Sequence, residues 1–332
     1  MKIRSFIIIS LLLFLSSCGK KPEEETLEAI DLAQTYLSED ECQKAIDILE
    51  DVGRDQDNAV YLQTLASGYA CRAGFSEVTF FSIDIPKLNT TLTGFLDSLA
   101  TFSTSPQTVA DSDSYTDLKT AINLVLEIET GVAPSQVARN TKFGARRAGD
   151  LGTQYIYMGL AQLGKFVNFY GNVNSAGAKG LGAANVDEQG STASTCFVDY
   201  ESGSSAATYI DTVANPGGLC SDTTIDIGHP DLSLVPASLT VTQRRMCEGL
   251  ILFTNLIDTI NNVELSSNTS LGNISAVKAL TANFESAILA ADPTLSTLLS
   301  MTSQSECETN VSTASNFLKL QYIYALLFET GL

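Results

Sequence analysis

Residues 24–37, EETLEAIDLAQTYL, are followed after SEDE by residues 42–52, CQKAIDILEDV. In the first run Leu27, Ile30, Ala33 (or Gln34) and Leu37 recur at steps of three and four. Cys42, Ala45, Ile46 and Leu49 do the same in the second. A helix turns every ~3.6 residues, so each set falls along one face. The stretch therefore predicts helix, short break, helix, with Ser38 and Glu41 at capping-box spacing before the second start. A third helix is expected from Asn58 to Ala73, ended by Gly74.

These three helices resemble the tetratricopeptide repeat. Ala29, Leu32-Ala33 and Tyr36 stand at the family's first-helix positions, and Ala45 and Leu49 at those of the second. Leu62, Leu65-Ala66 and Tyr69, then Phe75, repeat the pattern. Tyr36 to Tyr69 and Leu32 to Leu65 are each 33 steps, close to the family's ~34. Ala29 replaces an expected large residue, and Asp57 an expected proline. The resemblance covers roughly residues 24–75, too few units to stand alone. A helical hairpin of bundle type with chance spacing is the other reading.

Beyond Phe75 the repeat is lost. EVTFFSIDIPKLN reads as a helix or a short extended crossing that ends near Pro86, and TLTGFLDSLATFS as a short helix. Longer helices are expected from Tyr115 to Thr130, capped by Gly131, and from about Thr141 to Tyr170. In the latter, glycines at 144, 149, 152, 159 and 164 allow close helix approach or kinks. Residues 171–236 are Gly/Ser-rich with few large apolar side chains, and read as a long, partly ordered insertion. Helices resume over 239–263, 271–292 and 307–331. The expected fold is all-α. Tetratricopeptide-like hairpins (26–75) continue into an irregular array of about ten helices, forming one domain over 26–332.

The N-terminus predicts location. Lys2 and Arg4 precede an apolar run from Phe6 to Leu15, too short to span a bilayer and suited to a signal peptide. The run ends in Leu15-Ser16-Ser17-Cys18, which resembles the lipobox of bacterial lipoproteins. That resemblance implies removal of residues 1–17 and lipidation of Cys18 with palmitate-type acyl chains; an unmodified Cys beside a simple signal is the alternative. Gly19, where an Asp would favour the inner membrane, implies a periplasmic protein at the outer membrane. Residues 18–25 read as a tether.

The chain has 332 residues and a formal net charge of −19. So acidic a body argues against nucleic acid as a partner. With Cys18 lipidated, six cysteines remain, and an even number in an exported chain predicts three disulfides. Cys42 and Cys71 are equidistant from the turn-like GRDQDN, which favours their pairing across a hairpin. Cys196–Cys220 would close a Gly/Ser/Thr-rich loop, and Cys247–Cys307 follows by elimination. No two cysteines have metal-ligand spacing, and His229 has no ligand set or nucleophile beside it, so no metal or cofactor is expected.

Two segments share a pattern: Arg146-Arg147-x-x-Asp150 and Arg244-Arg245-x-x-Glu248. They read either as local salt bridges along one helix face or as Arg forks that share an anion-binding cleft. Gln154-Tyr-Ile-Tyr and Gln321-Tyr-Ile-Tyr also repeat, with one Tyr of each pair expected in the core. Ser275-x-x-Lys278 has penicillin-enzyme spacing without the partner motifs, and no nucleophile elbow or phosphate loop is present. The sequence thus predicts a non-enzymatic scaffold or adaptor that contacts another envelope protein. The alternative is a small-ligand accessory, similar to the tetratricopeptide lipoproteins associated with tripartite ATP-independent periplasmic (TRAP) transporters. Under it both Arg pairs should converge on one channel.

Overall fold

The computed structural model describes residues 22–91, 94–128, 133–180, 196–214, 228–229, 232, 239–263 and 272–330. Cys18, the segment before it and Cys220 lie outside these residues, so the expected signal, lipid site and Cys196–Cys220 pairing fall there. Among the described residues the secondary structure is helical, with one isolated bridge between Cys196 and Gly228 and no strand.

Helix α1 (Pro22–Ser38) begins earlier than the periodicity suggests. Proline needs no amide partner in a first turn, and Glu23, Glu24 and Glu25 complement the positive end of the helix dipole. Its buried face is Ala29, Ile30 and Ala33; Leu27 is 59% and Leu32 40% exposed. Of the expected stripe Ile30 and Ala33 are buried and Leu37 packs against the same cluster, whereas Leu27, in the second turn, is exposed. The expected capping box does not form. Ser38 Oγ donates back to the Thr35 carbonyl, and Glu41, at the N-cap of α2 (Cys42–Asp51), makes no side-chain cap. Asp40, at φ +59°, supplies the break.

Helix α3 (Ala59–Arg72) is capped by Asn58, whose Oδ1 accepts from the amides of Val60 and Tyr61. Gly74, at φ +77°, ends the segment as predicted. Cys42, opening α2, is bonded to Cys71 in the last turn of α3, with Cα atoms 5.6 Å apart. The helix that continues the stack on α3 is not the next one in sequence. After a mixed helical segment from Glu77 to Lys87 and α4 (Phe95–Ala100), α5 (Asp113–Val125) packs against α3. Arg72 holds it there with a fork on Asp117, at 2.8 and 2.6 Å.

The expected helix 141–170 is two helices, α6 (Gln136–Phe143) and α7 (Ala145–Tyr170). Gly144, at φ +80°, makes the corner between them. Helix α7 organises the molecule, because it is buried on nearly all sides. Leu151, Tyr155, Met158 and Ala161 join the apolar cluster of α1–α3 and α5. Ile156, Leu160, Leu163, Phe166 and Val167 join a second cluster built from the rest of the chain. Two cores thus share one helix.

Helix α8 (Ser205–Tyr209) precedes α9 (Leu239–Asn262), which lies antiparallel to α7. A Cβ on Gly152 would strike Val263, and one on Gly249 would strike Phe166, so the two chains run in opposite directions at close range. Helix α10 (Gly272–Ala291) and α11 (Ser296–Leu299) follow. The expected helix 307–331 is broken into α12 (Gln304–Asn310), α13 (Ala314–Tyr324) and a wide turn at Ala325–Glu329, since Thr313 caps a new start by accepting from the Asn316 amide. Cys247 of α9 is bonded to Cys307 of α12, with Cα atoms 5.7 Å apart. Cys196 is disulfide-bonded too. Likewise α5 ends at Val125, where Glu127 turns to φ +57°; Thr130 and Gly131 lie outside the described residues.

Within 171–236 the described residues are mixed: residues such as 201–203, 208 and 211–213 are exposed, while others join the core. Phe197, Val198, Tyr200, Ala206, Ala207 and Ile210 are all buried. They are anchored by a buried carboxylate. Glu329 accepts from the Phe197 amide at 2.8 Å and the Tyr200 hydroxyl at 2.9 Å, and pairs with Lys179.

Candidate functional site

The two Arg pairs do not meet. Arg146 and Arg147 are exposed at the start of α7 and make no ion pair among the described residues. Asp150, the expected partner, is exposed as well. Arg244 is exposed, and its carbonyl accepts from Gln304 Nε2 at 2.8 Å. Arg245 is buried. Phe166 on α7 stands at the level of Gly249 on α9, so roughly 30 Å of helix, at ~1.5 Å per residue, separates Arg146 from the Arg245 end.

Arg245 instead closes a charge network. Nη1 donates to Asp111 Oδ1 at 2.8 Å and to Glu248 Oε2 at 3.2 Å, while Nη2 pairs with Asp111 Oδ2. Lys119 of α5 reaches the other oxygen of Glu248. Burial works against the charge on Arg245, but the bonds to Asp111 outweigh it and raise its pKa; the same bonds lower that of Asp111. Both Nη groups of Arg245 are thus taken by carboxylates, which leaves no free Nη1/Nη2 fork for a ligand, although its buried Nε has no partner among the described residues. Of the two readings of Arg-Arg-x-x-acid, the local salt bridge holds for Arg245–Glu248. The decisive partner, Asp111, is 134 residues away in sequence and carries no local signal.

The second tyrosine pair splits, with Tyr324 buried and Tyr322 half-buried, whereas Tyr155 and Tyr157 are both buried, in different cores. Tyr155 and Tyr324 are fully buried, and the Tyr324 hydroxyl donates to the Met246 carbonyl at 2.8 Å. Tyr157, though buried, borders a cleft of about 700 Å³, bounded by α3, α6, the first half of α7 and the end of α9. Its ring packs edge-on against Phe81 at 4.8 Å, and burial, then the nearby charge of Glu77, pushes its pKa up to about 12. Five of its lining residues carry side-chain amides: Gln63, Gln136, Asn140, Gln154 and Asn262. Arg146, Asp150 and Glu77 stand at the same cleft, and no ion pair forms among them.

Gln154 is the hinge of this surface. Its Nε2 donates to Ser67 Oγ at 2.9 Å and to the Gln63 carbonyl at 3.3 Å, tying α7 to α3. Gln154 and Glu77 also line a second recess of about 390 Å³ between the ends of α1 and α3, so the two hollows adjoin. The amide-rich lining was not singled out from sequence. Its five members come from four helices, and two of them, Gln136 and Gln154, are buried.

Among the described residues no group of three or more His, Cys, Asp or Glu is placed to hold a metal ion. Lys278 Nζ donates to the Asn261 carbonyl, and the side chain of Ser275 lies outside the described residues. His229 is buried between the rings of Phe169 and Tyr170, at 4.8 and 4.9 Å, and burial lowers its pKa to about 4. The unfolded chain takes up this proton below pH ~6.5 while the folded chain does so only near pH 4. Stability is thus unaffected by His229 above pH ~6.5 and falls by up to about 3 kcal/mol between there and pH 4. Urea midpoints measured across that window should show the loss in the native chain and a flatter profile in His229→Phe.

Comparison with models of known protein families, with curated protein sequences and with solved structures returns no match. Among the described residues no helix is long and apolar enough to cross a membrane. The functional reading therefore rests on the geometry of the cleft and on the chemistry of the N-terminal sequence.

Proposed function

We propose that this chain is a non-enzymatic scaffold, tethered through lipid on Cys18 to the periplasmic face of a bacterial envelope, most simply the outer membrane. In this reading α1–α3 are tetratricopeptide-like hairpins, and the cleft between α3 and α7 holds an extended segment of another envelope protein. The observation that carries it is the amide lining. Gln136, Gln154 Nε2 and Asn262 Nδ2 are taken up by bonds within the protein, but Gln154 Oε1 is buried without a hydrogen-bond partner among the described residues, so it can accept from an N–H of an extended backbone. Tyr157 adds an apolar wall for a side chain, and Tyr36 and Tyr69 support the hairpins. Two acyl chains on the N-terminus suffice for stable attachment without a spanning helix.

A photo-crosslinking residue in place of Thr153, on the cleft wall, tests this in cells expressing the full chain. A discrete adduct from that position, absent when the crosslinker replaces the exposed Asp47 on α2, is the expected result. Adducts of the same pattern from both positions, or none from either, would remove the cleft reading. The alternative, a solute accessory of a TRAP-type transporter, loses the shared anion channel that the two Arg pairs would have provided.

A further inference from the structure

Arg139, on α6, is one of the largest fully buried side chains in the protein, at 1% exposure. Its acceptors are all neutral. Nε and Nη2 donate to Gln136 Oε1 at 3.1 and 2.7 Å, and Nη1 donates to the Pro134 carbonyl at 2.6 Å. No carboxylate lies within ion-pair distance among the described residues, in contrast to Arg245 with its two. A guanidinium carries five N–H groups, so one on each Nη is left over. Burial lowers the pKa of Arg139 for want of a counter-charge. A buried charge without its partner is costly, and folds retain one where something else completes it.

What Arg139 faces is a cavity of about 160 Å³ with Ser135, Asn255 and Thr259 on its walls. Through Leu126, Asn255 and Thr302 this cavity shares its lining with a second, of about 260 Å³, that is mainly apolar. Ile122, Ile251, Leu252 and the Tyr155 ring wall that second chamber, and the mutually paired Lys119 and Glu248 stand at its edge. The charged groups acting on Arg139 from a distance are Asp258, which also borders the smaller cavity, and Glu127; the buried Tyr155 hydroxyl stays neutral, because burial raises its pKa. Asp258 leaves room for one negative charge and disfavours two.

We propose that these joined cavities bind an amphipathic monocarboxylate, its carboxylate held by the Nη1/Nη2 fork of Arg139 and its aliphatic chain lying past Leu126 against Ile122, Ile251 and Leu252. The fork geometry of guanidinium suits a carboxylate held by two parallel bonds. The apolar chamber supplies the tail with a neutral environment, since its bordering charges already satisfy each other. The site is distinct from the amide-lined cleft and stands whether or not that cleft binds a polypeptide. Two sources share this chemistry: a free medium-chain fatty acid and the C-terminus of a peptide that ends in Leu or Val.

Calorimetric titration of the full chain with octanoate, octanol, octyl phosphate and a Leu-ended peptide tests the proposal. Octanoate or the free-acid peptide should bind, with the tighter of the two naming the source. Octanol, octyl phosphate and the peptide amide should each bind at least about 10-fold more weakly, as loss or mismatch of a charge-assisted bond requires. Arg139→Met should fold with an undiminished melting temperature yet lose that binding, and Leu252→Phe should lose it with Arg139 intact. No binding of either carboxylate at millimolar concentration, or equal binding of octanoate and octanol, would overturn the proposal. So would unchanged octanoate binding in Arg139→Met. Should that variant fail to fold, Leu252→Phe and the ligand series still decide.

Discussion

Glu329→Ala should lower the free energy of unfolding by about 3–5 kcal/mol, the range expected when one member of a buried ion pair is removed. The loss follows from what the carboxylate leaves behind. Lys179 Nζ would lose its counter-charge, and the Phe197 amide and the buried Tyr200 hydroxyl would lose their acceptor. Unmade buried bonds cost about 1–3 kcal/mol each, though the three are coupled and do not simply add. Glu329→Gln separates charge from hydrogen bonding, because its amide oxygen can still accept from Phe197 and Tyr200. It should cost clearly less than the Ala variant. Urea denaturation of both proteins gives the comparison; an Ala variant within about 1 kcal/mol of wild type would show that the segment around 197–200 is not held by Glu329.

That carboxylate also shows where sequence reading stops. Glu329 sits in a C-terminal run that reads as a plain helix, and its partners lie in a zone poor in large apolar residues. Phe197, Val198 and Tyr200 are only a few residues in a Gly/Ser-rich stretch, so composition averages them away, yet each is buried. The α1–α3 hairpins were legible because helical period, a turn and a cysteine spacing all pointed one way. The Cys42–Cys71 bond needed only that symmetry. Asn58 and Gly74 did what their chemistry dictates, whereas Ser38 and Glu41 had the right spacing and still formed no box. Local motifs are satisfied by whichever acceptor is nearer, here the Thr35 carbonyl. For the candidate sites the limit is sharper. The Arg pairs attracted notice because they repeat, but the buried cations without an ion pair among the described residues are Arg139 and Lys165, which no motif marks.

The glycines of α7 carry the second large prediction, because packing separates those at which a neighbour approaches closely from one that meets nothing. At Gly164 a Cβ would lie 2.5 Å from the Leu99 carbonyl oxygen and 2.5 Å from Ser105 Oγ. The carbonyl is backbone of the α4 segment and cannot rotate away, so α4 and α7 would have to separate. Gly164→Leu should therefore destabilise by more than about 3 kcal/mol, above the usual range for overpacking against side chains. At Gly149, on the same helix, nothing lies within 4 Å of the added atom. There the substitution has no contact to break and a helix propensity to gain, so Gly149→Ala should stabilise by up to about 1 kcal/mol. Thermal melts of the two variants beside wild type decide the matter. Opposite signs would establish that α7 is threaded between its neighbours at backbone distance, with its exposed first turns free. A Gly164→Leu variant as stable as wild type would mean that α4 does not approach α7 as closely as Leu99 and Ser105 place it, and the shared-helix account of the two cores would fail with it.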